Sequence, residues 1–556
     1  MESSTQFTPS IDQPISDAAA SGAAPAAEGA PRTLRPVDRH RPLRRTIYPP
    51  VIGQGLKAAA IMRVMLWDRA LRRVRETQEQ SLLSFVRHAK DTEFGRRYGF
   101  STIRRYEDYA SRVPVGDYDS FSPYIDRMRT GESGILVPEM VKYFGNSSGS
   151  SAKGKLKFLP ISDRQIKYQR GSAADCLYRW LWHTGESDYT GGFTLALVPP
   201  TTMRKEGPVF ITTNPSLQAM KMQAFTKPAQ LPEDDIRQID DYDRKLEAIV
   251  DRYFDHDVRA VAGTTCWLTL LFDKLLQVAH DKGYKVESVS EIWPNLKLLL
   301  GGGVSAEPYL PVIRDRMGTD DFALVDTYNA TEGGIYACTD HSGERGMLMI
   351  PDRGVFFELV PVEEIDSPWP TRVPLWAVEK DRLYALHVTT PSGLYSYRLG
   401  DLVRFPSTDP LRIEFAGRLS GCLSTTQELT THVEIQRSME HALAATSSKS
   451  VDYCAGADVG VNGTSRSRYI AFVEFDGKEP DRAAFARAFD EELCRQNRVY
   501  REHRNDDVAI LAPELVVLPA GSVRRFMQQI GNTSVQTKFP RIVDDDRKEI
   551  LRSYAR

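Results

Sequence analysis

A polar, glycine-rich turn between two apolar runs is the feature that most constrains this chain of 556 residues. The turn covers residues 147–151 and reads SSGSS, with Tyr-Phe at 143–144 before it and LKFL at 156–159 after it. This pattern predicts a strand, a loop and a second strand. Converging backbone N–H groups, serine hydroxyls and three nearby lysines, of which the last is Lys157, would favour an anion in that loop. The ligand that it suits best is a polyphosphate, whereas composition alone also permits a flexible serine/glycine linker.

A nucleoside-triphosphate P-loop is a second interpretation of the same stretch. Residues 149–155 read GSSAKGK and match G-x-x-x-x-G-K. However, Leu156 stands where a P-loop needs Ser or Thr to hold magnesium. The residues that follow alternate like a strand, whereas a P-loop opens a helix. We therefore interpret the stretch as a phosphate-binding loop of another kind.

Length and composition indicate a globular protein with at least two domains. Apolar residues make up 41 % of the chain and charged residues 26 %, and 72 basic residues stand against 74 acidic ones. This balance indicates neither a nucleic-acid nor a membrane partner. The six cysteines are scattered without a C-x-x-C, which predicts ordinary reduced thiols. The first 30 residues contain no Lys or Arg, unlike a secretory or transit peptide, so a cytoplasmic location is expected.

Periodicity predicts an α/β fold. Residues 1–45 are rich in Ala, Ser, Gly, Pro and then Arg, and are expected to form a disordered tail. Residues 56–90 fit two amphipathic helices with Arg and Glu on their outer faces. Short apolar runs at 193–198, 259–262 and 296–300 alternate with helical segments. This alternation is typical of a largely parallel sheet whose ligands lie beyond the carboxyl ends of the strands.

Polar glycine turns follow several of these runs. Three glycines at 301–303 end one strand, and a strand predicted over 324–328 breaks into NATEGG at 329–334. Glu332 in that turn is either a surface acid or a carboxylate that holds magnesium to ATP oxygens. Asp401, in a Gly-Asp turn, forms either a local Asx-turn or a bidentate contact with a pair of vicinal hydroxyls.

These loops, taken together, resemble a known family. Residues 147–151 with Lys157 and the proline at 160 resemble the Ser-Ser-Gly-Thr-Ser and Lys-x-x-Pro motif of the acyl-adenylate-forming superfamily, with Ser for Thr and one extra residue. Residues 328–333 resemble its Tyr-x-x-Ser/Thr-Glu-Gly motif, and residues 397–401 its Tyr-Arg-x-Gly-Asp motif. Within that superfamily the chain is most similar to the acyl acid amido synthetases of the auxin-responsive, or Gretchen Hagen, family and their bacterial relatives. The likeness extends over about residues 80–550.

The resemblance implies ATP-dependent activation of a carboxylic acid as an acyl-AMP, followed by transfer to an amine, usually of an amino acid. It implies ATP and Mg²⁺ as cofactors, with Glu332 holding the metal. The ATP-binding residues that it implies are Ser147, Ser148, Gly149, Ser150, Ser151, Lys157, Gly302, Gly303, Tyr328, Asp401 and Arg418. The catalytic residues that it implies are Lys538, Glu332 and Thr331.

Particular roles follow from the same resemblance. The serine loop would hold the β- and γ-phosphates, and Thr331 would contact the α-phosphate. Gly302 and Gly303 would border the adenine together with Tyr328, while Asp401 would take the ribose hydroxyls. The lysine at position 538 would stabilise the charge that develops as pyrophosphate leaves, and the arginine at 418 would lie near a hinge.

The resemblance also implies the domain order. We expect a large adenylate-forming domain with layered α/β sheets and a β-barrel-like part over 46–417, and a smaller mobile α+β domain over 425–556. A hinge at 418–424 would join them. The sequence TQEL at 426–429 departs from the Gly-Glu-Lys of relatives, so no second-step role is assigned there.

Two other functions remain open on the sequence. Coenzyme A in place of the amine would make the protein an acyl-CoA ligase. A non-catalytic acyl-binding protein of the same fold is the other alternative, against which the joint presence of Lys538, Glu332 and Asp401 argues. A monomer or weak dimer acting on a small carboxylic acid and an amine is expected.

Overall fold

The computed structural model describes residues 35–38, 41–147, 157–198, 203–222, 224–239, 241–303, 306, 309–365, 367–423, 425, 428, 430–459, 461, 466–507, 509–530 and 539–555. Each helix within these ranges is too short or too polar to span a bilayer. The fold is a mixed α/β architecture, as the sequence predicted.

The helices are, in chain order, α1 (Pro50–Arg72), α2 (Val74–His88), α3 (Glu93–Arg97), α4 (Tyr106–Ala110), α5 (Tyr118–Arg129), α6 (Asp163–Thr184), α7 (Asn214–Met220), α8 (Asp234–Arg237), α9 (Tyr242–Tyr253), α10 (Thr265–Asp281), α11 (Val289–Ile292), α12 (Leu310–Met317), α13 (His432–Ala445), α14 (Arg482–Gln496), α15 (Arg498–Arg504), α16 (Ser522–Gln529) and α17 (Asp545–Ala555).

The strands are β1 (Arg35–Pro36), β2 (Tyr143–Ser147), β3 (Lys157–Ile161), β4 (Phe193–Ala196), β5 (Arg204–Glu206), β6 (Val209–Thr212), β7 (Gln230–Leu231), β8 (Val258–Ala262), β9 (Tyr284–Lys285), β10 (Leu298–Leu300), β11 (Ala323–Val325), β12 (Thr327–Ala330), β13 (Gly334–Cys338), β14 (Met347–Met349), β15 (Phe356–Pro361), β16 (Val373–Pro374), β17 (Tyr384–Thr389), β18 (Tyr397–Thr408), β19 (Leu411–Arg418), β20 (Cys422–Leu423), β21 (Thr430–Thr431), β22 (Ser450–Asp458), β23 (Ser467–Phe475) and β24 (Ile510–Leu518).

A parallel sheet in the order β11-β10-β8-β4-β7 forms one layer of the large domain. Successive residues of its strands point to opposite faces. Val261 and Leu299 join the core under α9, α10 and α12, whereas Ala260 and Leu298 join a cluster with α1 and α6. Helices therefore cover both faces, which is why the strands read as continuous apolar runs.

The strand predicted over 324–328 is two strands. β11 belongs to the parallel sheet, and β12 pairs with β13 in an antiparallel sheet of order β12-β13-β14-β19-β18-β17-β15-β16. Asp326 occupies the corner, where its carboxylate accepts hydrogen bonds from the N–H groups of Ala306 (3.1 Å) and Thr327 (2.9 Å). The apolar pattern continues through the corner, so the sequence did not reveal the change of sheet.

The loop that includes residues 147–151 connects the two strands of a β-hairpin. β2 and β3 are antiparallel, with Ser147 opposite Lys157, and β6 extends the sheet in parallel to β2. α6 begins only after β3, where the Ser162 hydroxyl accepts from Gln165 N–H at 3.2 Å and caps the helix. A hairpin in place of a strand-to-helix turn excludes the P-loop interpretation.

The smaller C-terminal domain is built on the sheet β22-β23-β24. α13 and α14 contribute to the core on one face, and α16 and α17 to the core on the other. Its first helix contacts the large domain, because Arg404 donates to Glu434 at 3.1 Å and a methyl group at Gly417 would lie 2.7 Å from Thr431 Cβ.

Part of the segment predicted as a tail packs on the large domain. β1 pairs in parallel with β9, and the Arg41 guanidinium donates to the Ile292 carbonyl at 2.7 Å. Residues 35–38 and 41–45 therefore pack on the large domain, because arginines that read as solvated charge find carbonyl and carboxylate partners there. Residues 1–34 and 39–40 lie outside the described residues.

Candidate functional site

Asp401 is the best anchored of the predicted site residues. It lies on β18 directly opposite Arg418 at the end of β19. Its buried carboxylate accepts from Arg418 Nε at 3.0 Å and from the Tyr328 hydroxyl at 2.8 Å. Burial raises the pKa of Asp401, and Arg418 and the Tyr328 hydroxyl oppose that rise. The local Asx-turn that the sequence left open is replaced by a contact between residues from three strands.

Glu332 lies in the turn between β12 and β13. Its side chain is buried, and burial raises its pKa to about 7, with the nearby charge of Asp401 adding to the rise. Lys157 and Arg418 lie close enough to oppose that shift. The surface-acid interpretation is therefore wrong. Glu332 is thus a buried carboxylate beside a second acid, and nearby positive charges offset the cost of its own charge only in part. Such a carboxylate is electrostatically suited to binding a cation.

Thr331 connects this turn to the hairpin. A methyl group at Gly145 of β2 would lie 2.8 Å from Thr331 Cγ2, which shows how closely the strand approaches the turn. Lys157, at the other end of the hairpin loop, lies near both acids, since it lowers the pKa of Asp401 as well as that of Glu332. Both ends of the loop are thus anchored beside Thr331 and Glu332.

Most of the loop itself lies outside the described residues. This applies to Ser148, Gly149, Ser150 and Ser151, and for Ser147 only the backbone is described. The catalytic candidate Lys538 also falls outside them. Their predicted roles stay predictions.

The glycines after β10 lie against β12. A methyl group at Gly302 would lie 2.5 Å from Thr327 Oγ1 and 2.8 Å from Asn329 Nδ2, so only glycine fits there. Gly303 has a φ of +77° and is exposed. The bare backbone of this turn borders the strand that carries Tyr328, at the carboxyl end of β10.

Two glutamines on α6, which the sequence did not single out, hold the turn that carries the acid. Gln165 is buried, and its Nε2 donates to the Glu332 carbonyl at 2.7 Å. Gln169 Nε2 lies 3.5 Å from the Thr331 carbonyl, and Gln169 Oε1 accepts from Gln218 of α7 at 2.6 Å. Glutamines at i and i+4 on a helix share one face, which is the only sequence signal that these residues carry.

Two buried tyrosines complete the surroundings of the acids. The hydroxyls of Tyr336 and Tyr397 are buried without a hydrogen-bond partner in the described part of the protein. Both pKa values are raised, chiefly by burial and next by the charge of Glu332. Tyr397 belongs to the predicted Tyr-Arg-x-Gly-Asp motif, whereas Tyr336 was missed because it reads as an ordinary strand residue.

The segment after Lys538 reaches the same region. Arg541 and Ile542 run beside β22, where Ala455 N–H donates to the Arg541 carbonyl at 2.8 Å. His432, at the start of α13, packs against Phe415 with a ring-centroid distance of 5.9 Å, and the ring of Phe415 lies equally far from that of Tyr328. The pKa of His432 is lowered to about 4, chiefly by burial and next by the charges of Arg418 and Arg541. The C-terminal segment thus approaches the Asp401 side of the site.

The residues present fit a divalent cation that is shared with phosphates. Within the described ranges no group of three or more His, Cys, Asp or Glu side chains could hold a metal by itself. Mg²⁺ is commonly held by one or two carboxylates plus substrate phosphates, so a single acid suffices. The raised pKa of Glu332 is the observation in favour, because a nearby cation would offset the cost of its buried charge.

Comparison with known proteins gives a consistent family. Models described as the GH3 family N-terminal domain, central domain and C-terminal domain match residues 65–250, 348–418 and 433–547. The indole-3-acetic acid-amido synthetase GH3.8 of Oryza sativa subsp. indica is 25 % identical to this chain over an alignment of 559 residues including gaps. The alignment covers 88 % of this chain and 91 % of that protein. The jasmonoyl-L-amino acid synthetase GH3.5 of Oryza sativa subsp. japonica is 22 % identical to this chain. The match covers 86 % of this chain and 94 % of that protein.

A solved structure has the same fold. The AtGH3.15 acyl acid amido synthetase in complex with 2,4-DB superimposes with a TM-score of 0.68 at 18 % sequence identity. The match covers 91 % of this chain and 97 % of that one. The predicted fold class, a mixed α/β chain with a large N-terminal and a smaller C-terminal domain, is therefore confirmed.

Proposed function

Because this chain belongs to the GH3 family, we propose that it activates a carboxylic acid with ATP and transfers the acyl group to an amine, with an amino acid as the acceptor. The observation that carries the proposal is the convergence of Glu332, Asp401 and both ends of the hairpin loop on one site. Relatives named as amido synthetases for indole-3-acetic acid and for jasmonoyl conjugates support the reaction class.

The reaction has two steps. In the first, a carboxylate oxygen of the acid attacks the α-phosphorus of ATP, and the bond to the β-phosphate oxygen breaks to release pyrophosphate. In the second, the amine nitrogen attacks the acyl carbonyl, AMP leaves, and the nitrogen loses a proton. Activation is needed because a free carboxylate is a poor electrophile, whereas the phosphate of an acyl-AMP is a good leaving group.

The nucleotide would lie across the strand ends. Asp401 accepts hydrogen bonds from the two ribose hydroxyls, with Arg418 and Tyr328 fixing the orientation of its carboxylate. The adenine lies between Tyr328 and the backbone of Gly302 and Gly303. Thr331 donates to the α-phosphate, beside the hairpin strand that contacts it.

The phosphates would occupy the hairpin side of the site. The loop over 147–151 and Lys157 bind the β- and γ-phosphates. Glu332 would hold Mg²⁺, which supplies charge neutralisation between the phosphates when it is bound. The fixed Glu332 backbone, held by Gln165, keeps the carboxylate in place for that contact.

The C-terminal domain would complete the site. Lys538 stabilises the negative charge that develops as pyrophosphate leaves, a role typically worth two to three orders of magnitude in rate. The domain over 425–556 turns about the hinge at 418–424 between the two steps. The approach of Arg541 to the Arg418 side of the site supports this placement of the lysine.

The direct test is mass spectrometry of products after incubation with ATP, pooled carboxylic acids, amino acids and coenzyme A. The expected products are an amide and AMP. An acyl thioester in place of the amide would identify the acceptor as coenzyme A. If no AMP forms in response to any acid, the protein would be the non-catalytic alternative.

Lys538→Ala tests the assigned catalytic group. Acid-dependent exchange of labelled pyrophosphate into ATP should fall by roughly two to three orders of magnitude, while ATP binding persists. Full exchange in the variant would remove the assignment of Lys538.

A further inference from the structure

The outer face of α1 is uncharged and mainly apolar over four turns. The sequence predicted Arg and Glu on the outer faces of the first two helices, but along α1 the solvent-facing row is uncharged. Its large side chains expose between 42 % and 65 % of their area; they are Val51, Ile52, Ile61, Met62, Met65 and Leu66. Gly55, Ala58 and the polar but uncharged Gln54 lie on the same face and are also exposed. The helix α1 therefore exposes to solvent a row of large apolar side chains, which are usually buried.

The charged residues within this stretch are turned inward. Lys57 Nζ donates to the Gly185 carbonyl at 2.7 Å. The Arg63 guanidinium is paired with Asp175 at 2.7 Å and with Asp352 at 2.8 Å. No Asp or Glu occurs between Pro50 and the tryptophan at 67. The Lys57 and Arg63 side chains thus attach α1 to the rest of the large domain, and the opposite face of the helix carries no charge.

Exposed arginines end the apolar row at its C-terminal end. Arg69 and Arg72 lie in the last turn of α1 and are both exposed. Two other nearby arginines have acidic partners, since Arg45 pairs with Asp257 at 3.4 Å and Arg73 with Glu76 at 3.5 Å. The face is therefore an uncharged strip that ends in positive charge.

A second copy of the chain offers these arginines no opposite charge. Parallel packing of two α1 helices would place Arg69 and Arg72 of one copy beside the same residues of the other, which brings like charges into contact. In either direction of packing α1 supplies no unpaired carboxylate, because its one acid, Asp68, is paired with Arg179 at 2.8 Å.

An anionic lipid surface matches both features. A helix that lies in the interface plane buries its apolar side at the boundary between headgroups and acyl chains, and flanking arginines pair with headgroup phosphates. We propose that α1 binds this protein peripherally to membranes rich in anionic phospholipid, through the row from Val51 to Leu66 and through Arg69 and Arg72 at its C-terminal end. This surface is separate from the candidate active site and does not depend on the proposed reaction.

Vesicle flotation with the full chain tests the proposal. The protein should float with phosphatidylcholine vesicles that contain about one third phosphatidylglycerol, and bind at least tenfold more weakly to phosphatidylcholine alone. Met62→Glu combined with Met65→Glu should weaken binding to the anionic vesicles at least tenfold, because two charges would then enter the apolar strip. Arg69→Glu with Arg72→Glu should do the same and remove most of the salt dependence.

Matched measurements separate this surface from general effects. Val459→Glu changes an equally exposed valine in the C-terminal domain and should leave vesicle binding unchanged. All variants should keep the thermal midpoint and the solution activity of the parent, since the altered side chains are exposed. Absence of binding to anionic vesicles, or full binding by the Met62/Met65 variant, would overturn the proposal. A dimer in light scattering that the same variant dissociates, without vesicle binding, would assign the face to a second copy instead.

Discussion

The two acids of the candidate site are held in opposite ways. Asp401 lies on a β-ladder, and a guanidinium and a phenol already neutralise and orient it. Glu332 lies in a hairpin turn that is fixed through its backbone, while its carboxylate is buried with a pKa of about 7. The ladder holds a carboxylate that already has two hydrogen-bond donors, and the turn holds an acid whose buried charge Lys157 and Arg418 offset only in part. Under the proposed function, Asp401 would accept from the ribose hydroxyls, which are neutral, and Glu332 would bind the metal ion.

The largest expected effect comes from Glu332→Gln. Pyrophosphate exchange should fall by roughly two orders of magnitude or more, because the metal loses its charged ligand. The folded protein should nevertheless gain stability, on the order of 3 kcal/mol at about pH 8, since a buried charge is removed. The exposed Glu491→Gln serves as control and should change neither quantity.

The sign of that gain follows from the pKa. The folded-state pKa of Glu332, about 7, lies above its ordinary value of 4.5. The folded state therefore keeps a proton that the unfolded state has lost, and Glu332 costs stability progressively as pH rises from 4.5 to about 7. Denaturant unfolding across this window should show parent and variant diverging with rising pH. Parallel curves would contradict the buried-charge account.

Asp401→Ala should have the next largest effect. The ribose would lose a charged acceptor, and ATP affinity should drop roughly ten- to hundredfold, as measured by titration calorimetry. Tyr328→Phe removes only one of the two groups that orient the carboxylate, so its loss should be smaller. An unchanged ATP affinity in the alanine variant would refute the ribose role of Asp401.

The contrast between the two acids also predicts how pH and metal interact. At limiting Mg²⁺, exchange should increase with pH around the pKa of Glu332, about 7. Raising the Mg²⁺ concentration should move the midpoint to lower pH, because the metal competes with the proton for the same carboxylate. A midpoint that is independent of Mg²⁺ would separate Glu332 from the metal.

Gln165→Leu should have the smallest effect. It removes the donor that fixes the Glu332 carbonyl, and a neutral hydrogen bond is worth roughly 0.5–1.5 kcal/mol. We expect a loss of up to about tenfold in exchange rate together with weaker apparent Mg²⁺ affinity. Gln80→Leu on the exposed side of α2 should change neither. Weakened ATP binding without a change in the metal response would mean that Gln165 positions the nucleotide rather than the acid.

The sequence predicted the separate pieces of this site well. Strand, turn and glycine patterns located Glu332, Asp401 and the hairpin loop, because local alternation and turn residues are written within a few positions. It did not show that the strand over 324–328 divides between two sheets at Asp326. It also missed Gln165, since a helical glutamine carries no signal of what it will contact.

The sequence alone therefore determined where the loops lie, which carboxylates belong to them, and which family the motifs resemble. The environment of those groups was decided only by the tertiary structure. Tyr328 and Asp401 are 73 positions apart and share a hydrogen bond, and Lys57 and Arg63 turn inward to leave one face of α1 uncharged. Burial and long-range pairing set the charge state of a side chain, and both depend on neighbours that the linear pattern does not name.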